Sequence, residues 1–534
     1  MDWATSKQAP TPPPILNPLE LAELPLTLRD VENVARGGAV VSVSPRILAR
    51  LHTARAIVMR LASSGQSIYG LNSALGANTG KRLAIDRTAQ SDHTDQTGQS
   101  RQSDCLLAEY QLNAIRARSV GVGAACPTDV VRAMMFARIA GMRAGGSGIS
   151  PAVFEALVAM LNARVHPVVP HIGSISVGDL APLSAMALPL IGEGVAEFRG
   201  AVLSGGEALA AAGIALPALG PKDGLSLISS NAATVGAAAL ALIDAADAVS
   251  ALEHSAALAC EALRANLSPL DARMQQARPA PGQSEAAERL TALLGGSGLW
   301  SPGAARRVQD PLSFRCIAQV HGAALAAWHE CRAQVELELN SAADSPLVLE
   351  SGEMLSNGNF HIPALAIALE SLGLGLTQCA AIAVERSLKL LSPAFTDLPL
   401  QLTRHGPAHS GFATVQKTLT ALYNRMRHLA NPACLDFLPV SEQIEDHAPM
   451  VMNVVEKTIA MLEPLHYLAA IETLIAAQAV DLREPSPRAS LGRGAARLYA
   501  ALRAQVTMLD GDRPLGPDIE TAARVVREVV KDAG

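Results

Sequence analysis

The sequence has few charged and few aromatic side chains for its length. Of 534 residues, only 17% are Asp, Glu, Lys or Arg and 3% are Phe, Trp or Tyr, whereas 49% are hydrophobic. The apolar residues are therefore mostly Ala, Leu, Val and Ile, and Ala and Leu favour helix. This composition predicts a mainly α protein with closely packed helices, as in a large bundle or an obligate oligomer.

Basic segments and paired cysteines are also lacking. Lys and Arg number 43 against 49 Asp and Glu, and no basic stripe is present, which argues against a nucleic-acid partner. The seven cysteines are scattered without a CxxC pair, so reduced cysteines in a cytoplasmic protein are expected, not disulfides or a zinc ribbon.

No membrane association is predicted. The N-terminus lacks the basic and apolar regions of a signal peptide, and no stretch is expected to span a membrane. The longest apolar segment, 232–267, is interrupted by Asp244, Asp247 and Glu253. It is expected to be a buried core helix.

Several common catalytic signatures are missing from the sequence. There is no HExxH motif, no P-loop, no GxGxxG after a strand and no GxSxG. No metal is predicted, since the 13 histidines and the carboxylates form no cluster with ligand spacing. The chemistry is therefore expected from ordinary side chains or from modified backbone.

Composition and periodicity divide the chain into parts. We predict a disordered Pro-rich N-terminus (1–27), an N-terminal active-site domain with a Tyr loop (28–225), a central helical bundle (226–480) and a C-terminal helical segment (481–534). Helical spacing of apolar residues marks 28–62, 151–165 and 415–429, and alternation in "EFRGAVLSG" (197–205) indicates short strands. The polar segment 86–104 is expected to be a surface loop or a mobile lid.

Five short polar stretches stand out from the apolar background. They are "YGLNSALG" (69–76), "GSISVGDLAPL" (173–183), "VQDPLSFRC" (308–316), "SNGNFH" (356–361) and "EQIEDHAPM" (442–450). Because buried polar groups need partners, five such stretches in one chain indicate a polar pocket between helices.

Together with "NSAADSPLV" (340–348), these motifs resemble the histidine, phenylalanine and tyrosine ammonia-lyase family, in order, from about residue 28 to 480. The resemblance implies a mainly α homotetramer with an ammonia-lyase-like fold and long central helices. It also implies active sites built from several subunits. The implied reaction is elimination across the Cα–Cβ bond of an amino acid, which gives an α,β-unsaturated acid.

The resemblance assigns roles to residues in the polar stretches. Tyr69 matches the catalytic tyrosine that acts as base, and Arg315 matches the arginine that binds the substrate carboxylate through its bidentate guanidinium. Gln309 and Phe360 match pocket residues. Glu445 matches the glutamate that faces the side chain of the substrate in histidine-type members. The alternatives are structural roles: Tyr69 only packs against apolar neighbours, Arg315 forms a structural ion pair, and Glu445 is an acidic residue at a helix N-terminus.

One departure from the family concerns its prosthetic group. Most members carry Ala-Ser-Gly before Asp-Leu-Ala-Pro, and this tripeptide cyclises and loses water to give an electrophilic methylidene-imidazolone. Here the same positions, aligned on Asp179, are Ser176-Val177-Gly178. Valine cannot lose water, and Ser176 is followed by a β-branched residue with a crowded nitrogen. We therefore predict that no prosthetic group forms and that no other cofactor is bound.

Further departures change the polarity of the predicted site. Leu312 replaces the second tyrosine of the family. The usual Asn-Gly-Thr reads Ser229-Ser230-Asn231 here, so the side-chain amide is two positions later. Arg118 stands where histidine-type members have histidine, and Lys389 replaces an apolar residue. Arg118, Asn231 and Lys389 are therefore candidate substrate-binding or catalytic residues, although Lys389 is equally consistent with a surface lysine.

Without the electrophile, the nitrogen of the substrate has to leave unaided. A quaternary trimethylammonium meets this condition, because it departs as neutral trimethylamine. The predicted substrate is therefore a small amino-acid betaine whose ring accepts charge from Cβ. This combination resembles the branch of the family that eliminates trimethylamine from ergothioneine, a thiolated histidine betaine, to give thiourocanate by acid/base catalysis. A lyase or aminomutase-like enzyme for another pre-activated amino acid, and a non-catalytic relative, remain alternatives.

Overall fold

The computed structural model describes residues 18–64, 68–71, 73, 107–484 and 486–532. The chain forms two compact units, each assembled from separate parts of the sequence. Unit 1 comprises Met1–Leu240, Ala333–Ala364 and Cys434–Met452, and unit 2 comprises Ala241–Arg332, Leu365–Ala433 and Asn453–Gly534. The four-part division expected from the sequence stays a prediction.

Unit 1 combines short helices with small sheets. Its helices are α1 (Leu28–Ala35), α2 (Pro45–Ala62), α3 (107–116), α4 (Thr128–Met142), α5 (Pro151–Asn162), α6 (Leu180–Ala187), α7 (Gly205–Ala211) and α8 (Asp223–Ile228). Its strands are β1 (Leu19–Leu21), β2 (Val41–Val43), β3 (Val122–Ala125), β4 (His166–Pro167), β5 (Pro170–Ile172), β6 (Val195–Phe198), β7 (Ala201–Ser204), β8 (Leu347–Val348) and β9 (Met354–Leu355).

The sheets of unit 1 each contain two or three strands. Strands β1 and β2 pair in parallel, whereas β3–β5, β4–β6–β7 and β8–β9 pair antiparallel. The β6–β7 hairpin turns at Arg199 and Gly200, both with positive φ. Such small sheets connect and orient the helices, which supply most of the core.

In the described part of the chain, four long helices supply a large share of the buried apolar residues. They are α9 (Ala232–Leu263), α13 (Ile317–Leu339), α14 (Pro363–Leu390) and α17 (Val451–Leu482). Alanine costs little side-chain entropy in a helix and permits close approach of neighbouring helices. Within α9, Ala245, Ala248 and Ala251 are fully buried.

These long helices bear on the membrane prediction. Among the described residues, three helical stretches are long and apolar enough to cross a membrane by length and composition alone: Asp223–Leu263, Pro363–Leu390 and Val451–Leu482. The expectation that no stretch would qualify was therefore wrong, because the charged residues in these helices are too far apart to interrupt the long apolar stretches between them. Between 67% and 72% of each apolar window is buried within the protein, which agrees with the core helix predicted at 232–267.

Unit 2 adds shorter helices to these long ones. They are α10 (Ala272–Ala277), α11 (Gln283–Leu293), α12 (Leu312–Arg315), α15 (Pro393–Thr396), α16 (Val415–Leu429), α18 (Arg493–Arg503) and α19 (Gly516–Lys531). Inside the unit, Nη2 of Arg386 donates to Oε2 of Glu472 at 2.9 Å, and the Ser255 hydroxyl donates to the same oxygen at 2.6 Å. A fully buried ion pair requires such additional hydrogen bonds to offset its desolvation.

The helices expected from periodicity are confirmed where the structure describes them. Helix α5 buries Val153, Leu157 and Leu161, and α16 begins at Val415 as expected. The helical stretch expected at 28–62 is interrupted by β2, because β-branched Val41 and Val43 extend the chain there. The predicted lid at 86–104 lies outside the described residues.

Candidate active site

The loop 173–179 precedes helix α6 and has an unusual backbone. Ser176 and Asp179 adopt positive φ values of 57° and 43°, and Gly178 has φ of 81°. A left-handed conformation at a residue other than glycine is unfavourable, so it persists only where the surroundings enforce it. In this loop the enforcement comes from the hydrogen bonds of two side chains, Asp179 and Ser176.

The Asp179 carboxylate binds the first turn of helix α9. Its Oδ2 accepts from the Thr234 amide at 2.7 Å, and its Oδ1 accepts from the Thr234 hydroxyl at 2.8 Å and from the Ser174 hydroxyl at 2.6 Å. Burial raises the pKa of this carboxyl group. A carboxylate at a helix N-terminus is favoured by the free amides and the helix dipole, so Asp179 fixes the loop to α9.

The Ser176 hydroxyl has a comparable role at a second helix. It accepts a hydrogen bond at 2.9 Å from the amide of Met452, the second residue of α17, and lies 3.2 Å from the Thr234 hydroxyl. Since the Thr234 hydroxyl donates to Asp179, Ser176 donates to Thr234. The side chain is 1% exposed. The Ser176 hydroxyl therefore both accepts and donates a hydrogen bond within the fold.

A cavity of about 190 Å³ lies beside this loop. Two residues predicted from the sequence, Arg118 and Glu445, line it together with the loop. The loop contributes Gly173, Ser174, Ile175, Val177 and Asp179, and the start of α6 contributes Leu180 and Ala181. The structure thus brings Arg118, Glu445 and the position of the family electrophile to one cavity.

Arg118 and Glu445 give this cavity one positive and one negative side chain. Arg118 follows α3 and donates from Nη1 to the carbonyl of Ala114 at 3.2 Å. Glu445 accepts from the Ser441 hydroxyl at 3.1 Å through Oε1. Both side chains are partly buried, and among the described residues no ion pair joins them. The cavity therefore carries two opposite charges that do not neutralise each other by direct contact.

Glu445 is held by a tight turn. Ser441, Glu442 and Gln443 all have positive φ, between 54° and 66°, and the backbones of Val440 and Glu445 exchange hydrogen bonds of 3.0 and 3.3 Å. The turn ends before α17, so Glu445 is not part of a helix. Three consecutive residues in the left-handed conformation are energetically unfavourable, and such strain is typical of functional sites. Here it fixes the position of Glu445.

Phe360 does not line this cavity, but the next residue in the chain contacts the loop that does. It is half-buried, and the following residue, His361, pairs with Val177 in an isolated antiparallel bridge. The His361 Nε2 lies 2.8 Å from Nδ1 of His447. These two histidines are not among the site residues predicted from the sequence, although each ends a polar motif, "GNFH" and "EDH".

Tyr69 lies in unit 1 but does not line this cavity. It is half-buried and forms a bridge with Ser73, while its neighbours Ile68 and Leu71 are buried in an apolar cluster with α2. The packing of Ile68 and Leu71 fixes the described part of the loop. The role of Tyr69 as base stays a prediction.

Asn231 is buried at a different place in unit 1. Its Nδ2 donates to Oε2 of Glu338 at 3.2 Å, and the two residues line a very small cavity that also contacts Arg138. Burial raises the pKa of the Glu338 carboxyl group. The structure does not bring Asn231 to the cavity of Arg118 and Glu445, so its substrate-binding role also stays a prediction.

The remaining predicted residues belong to unit 2. Gln309 is exposed, and Arg315 is half-buried in the last turn of α12. Lys389 lies in the last turn of α14, forms an ion pair with Glu385 and has its Nζ 5.7 Å from the centre of the Phe395 ring. An i,i+4 pair of this kind is common on helix surfaces, so the surface-lysine interpretation stays open.

Residues 26–504 of this chain match the sequence pattern that defines the aromatic amino acid lyase family. The chain belongs to the aromatic amino acid lyase family. The resemblance seen in the sequence motifs is thereby confirmed, and the protein is a carbon–nitrogen lyase by family.

Individual lyases of the family agree with this placement. The chain is 37% identical to histidine ammonia-lyase of Symbiobacterium thermophilum over 503 residues, which is 94% of this chain and 95% of the relative. The crystal structure of ergothionase from Treponema denticola superposes with a TM-score of 0.89 and 32% identity, over 96% of this chain and 99% of that one. Histidine ammonia-lyase of Trypanosoma cruzi superposes with a TM-score of 0.83 at 28% identity, over 97% of this chain and 95% of that one. The predicted ammonia-lyase-like fold is therefore confirmed.

The residues of this lyase do not fit a methylidene-imidazolone. Val177 has no hydroxyl group to lose. Dehydration of Ser176 would remove the atom that binds the Met452 amide, and dehydration of Ser174 would remove the acceptor of the Ser176 amide, at 2.9 Å. A buried amide that loses its partner costs about 1–3 kcal/mol.

Proposed function

We propose that this lyase eliminates trimethylamine from ergothioneine to give thiourocanate, by acid/base catalysis without a methylidene-imidazolone. One observation carries the proposal. Val177 occupies the position of the family electrophile in a cavity that also contains Arg118 and Glu445. An enzyme without this electrophile needs a substrate whose nitrogen is already a good leaving group, and a ring that takes up charge.

The proposed reaction is a 1,2-elimination. A base removes a proton from Cβ, and the electrons of that C–H bond form the second bond between Cα and Cβ. The Cα–N bond breaks, and its electron pair leaves on nitrogen as neutral trimethylamine. Charge that develops at Cβ spreads into the thioimidazole ring, where fixed cations stabilise it.

The proposed roles follow the family positions. Tyr69 removes the Cβ proton, with its phenol oxygen as the general base. Arg315 binds the carboxylate, and Glu445 and Lys389 bind and polarise the ring. The role of Arg315, in unit 2, rests on the resemblance alone. Lys389, also in unit 2, is the exception to the family positions: it replaces an apolar residue of the family, and its role rests on its positive charge.

The other proposed contacts concern substrate binding. Arg118 adds positive charge on the side of Val177, and Phe360 or Tyr69 faces the trimethylammonium through a cation–π contact. Gln309 completes the set by family position, and Asn231 supplies the amide that the family carries two positions earlier in the chain.

One of the solved structures supports ergothioneine as the substrate. The ergothionase that superposes at a TM-score of 0.89 was crystallised with desmethyl-ergothioneine sulfonic acid. The relatives with 35–38% identity are histidine ammonia-lyases, which makes histidine the second candidate. Val177 argues against histidine, because an ammonium group leaves poorly without an electrophile to activate it.

The test is a substrate panel combined with an intact-mass measurement. The purified protein is incubated with ergothioneine, histidine betaine, histidine and phenylalanine, and the conjugated acid and the released amine are quantified. We expect turnover of ergothioneine and a polypeptide mass equal to that of the translated sequence. Turnover of histidine or phenylalanine, or a mass lower by two water molecules, would overturn the proposal.

Two further proposals concern the state of the protein. We propose a homotetramer, as the family resemblance implies, and a cytoplasmic protein with reduced cysteines. Light scattering after size exclusion measures the oligomeric state, and a monomer at micromolar concentration would contradict it.

A further inference from the structure

His361 and His447 connect two segments that carry predicted site residues. Phe360 immediately precedes His361, and Glu445 lies two residues before His447. The two imidazoles form a hydrogen bond of 2.8 Å between Nε2 of His361 and Nδ1 of His447. Their ring centres are 4.9 Å apart at an interplanar angle of 66°.

The same pair also borders the loop of Val177. The backbone of His361 bridges that of Val177, and the Phe437 ring packs on His447 with 5.1 Å between ring centres. Val177 and Glu445 line one cavity. Three segments distant in the sequence are therefore connected through His361 and His447.

The chemistry of the pair restricts its protonation. A hydrogen bond between two imidazole nitrogens needs one N–H and one lone pair, so the facing nitrogens share one proton. Double protonation would place two donors face to face. Burial and the neighbouring His447 lower the pKa of His361, which favours the form with a single shared proton.

We infer that His361 and His447 are positioning residues, which hold Phe360 and Glu445 at fixed places beside Val177. Neither histidine lines the cavity of Arg118 and Glu445. The pair fixes the distance between the Phe360 ring and the Glu445 carboxylate. In the proposed function, Phe360 faces the trimethylammonium and Glu445 binds the ring of the substrate. The inference deepens that function, but the connection itself does not depend on which compound is turned over.

Amide replacements distinguish positioning from general support of the fold. Gln presents its Nε2 where His361 has Nε2, and Asn presents a polar atom where His447 has Nδ1. We expect His361→Ala and His447→Ala each to raise KM about tenfold, with kcat changed less than about twofold, for the compound that the panel identifies. His361→Gln and His447→Asn restore KM to within about threefold. His52→Ala, an exposed histidine on α2, is the matched control without effect.

A second measurement is independent of activity. Hydrogen–deuterium exchange of the substrate-free protein follows amides of the segment 440–447 in His361→Ala. We expect exchange there to rise severalfold, although the substitution lies about 80 residues away in sequence, and to return to the wild-type rate in His361→Gln. Unchanged exchange at 440–447, or equal KM values for the alanine and amide variants, would refute the inference. A panel in which ergothioneine is inert but the exchange result holds would reject only the proposed substrate.

Discussion

The Ser176 hydroxyl accepts a hydrogen bond from the Met452 amide at 2.9 Å. This contact connects the loop before α6 to the first turn of α17, and Thr234 extends it to Asp179 and α9. The serine next to the electrophile position therefore serves the fold.

Replacement of Ser176 by Ala tests this assignment. We expect a loss of about 1 kcal/mol in unfolding free energy, because a helix N-terminal amide loses its partner. Turnover of ergothioneine should change less than about threefold, since the hydroxyl supplies no electrophile. Chemical denaturation and steady-state kinetics measure the two effects.

The matched control for this variant is Ser204→Ala at the exposed start of α7, where Ser204 also forms a helix cap. It should lower stability by no more than Ser176→Ala does. Loss of activity in Ser176→Ala with full folding would show that the serine takes part in the chemistry.

Replacement of Tyr69 by Phe tests the proposed base. If the phenol removes the Cβ proton, turnover of ergothioneine should fall by roughly 10²–10⁴-fold with little change in thermal stability. Tyr423→Phe, on α16 in unit 2, provides a control that should retain activity. A decrease below tenfold would exclude Tyr69 from proton transfer.

Replacement of Arg118 by Ala tests the positive charge in the cavity. Loss of a charged hydrogen bond costs about 1.5–3 kcal/mol, so kcat/KM for ergothioneine should fall by about 10- to 150-fold. Arg116→Ala is a close control, because Arg116 lies two residues earlier and forms an exposed ion pair with Glu193 at 2.9 Å. Equal effects of both variants would mean that Arg118 acts only through net charge.

Stability should decrease in acid because of His166. Burial and the charges of Arg132 and Arg164 lower the pKa of His166 from 6.5 to about 4 in the folded protein. The folded state therefore binds fewer protons than the unfolded state between these values. The stability from neutral His166 is complete above pH 6.5 and is lost as the pH falls towards 4.

Thermal midpoints across this pH range measure the effect. His166→Gln keeps an acceptor for Arg132, whose Nη1 lies 3.4 Å from Nε2 of His166, and should flatten part of the pH dependence. His52→Gln should leave the curve unchanged. An identical pH dependence in His166→Gln and in the wild type would contradict the assignment.

The family, the mainly α class and the identity of the residue at the electrophile position can all be read from the amino-acid sequence. Local information is enough for these features: helical periodicity in 151–165 and 415–429, and ordered motifs such as "GDLAPL" and "GNFH". Val177 is visible in the sequence, and its lack of a hydroxyl group needs no structure to interpret.

The tertiary structure alone decided which residues meet. It brought Arg118 and Glu445, more than 300 positions apart, to one cavity and placed Asn231 elsewhere with Glu338. It also revealed the roles of Ser176 and Asp179 at the starts of two helices, and the bond between His361 and His447. These contacts arise from the packing of segments distant in the chain, and side-chain hydrogen bonds of this range leave no periodic signal in a sequence.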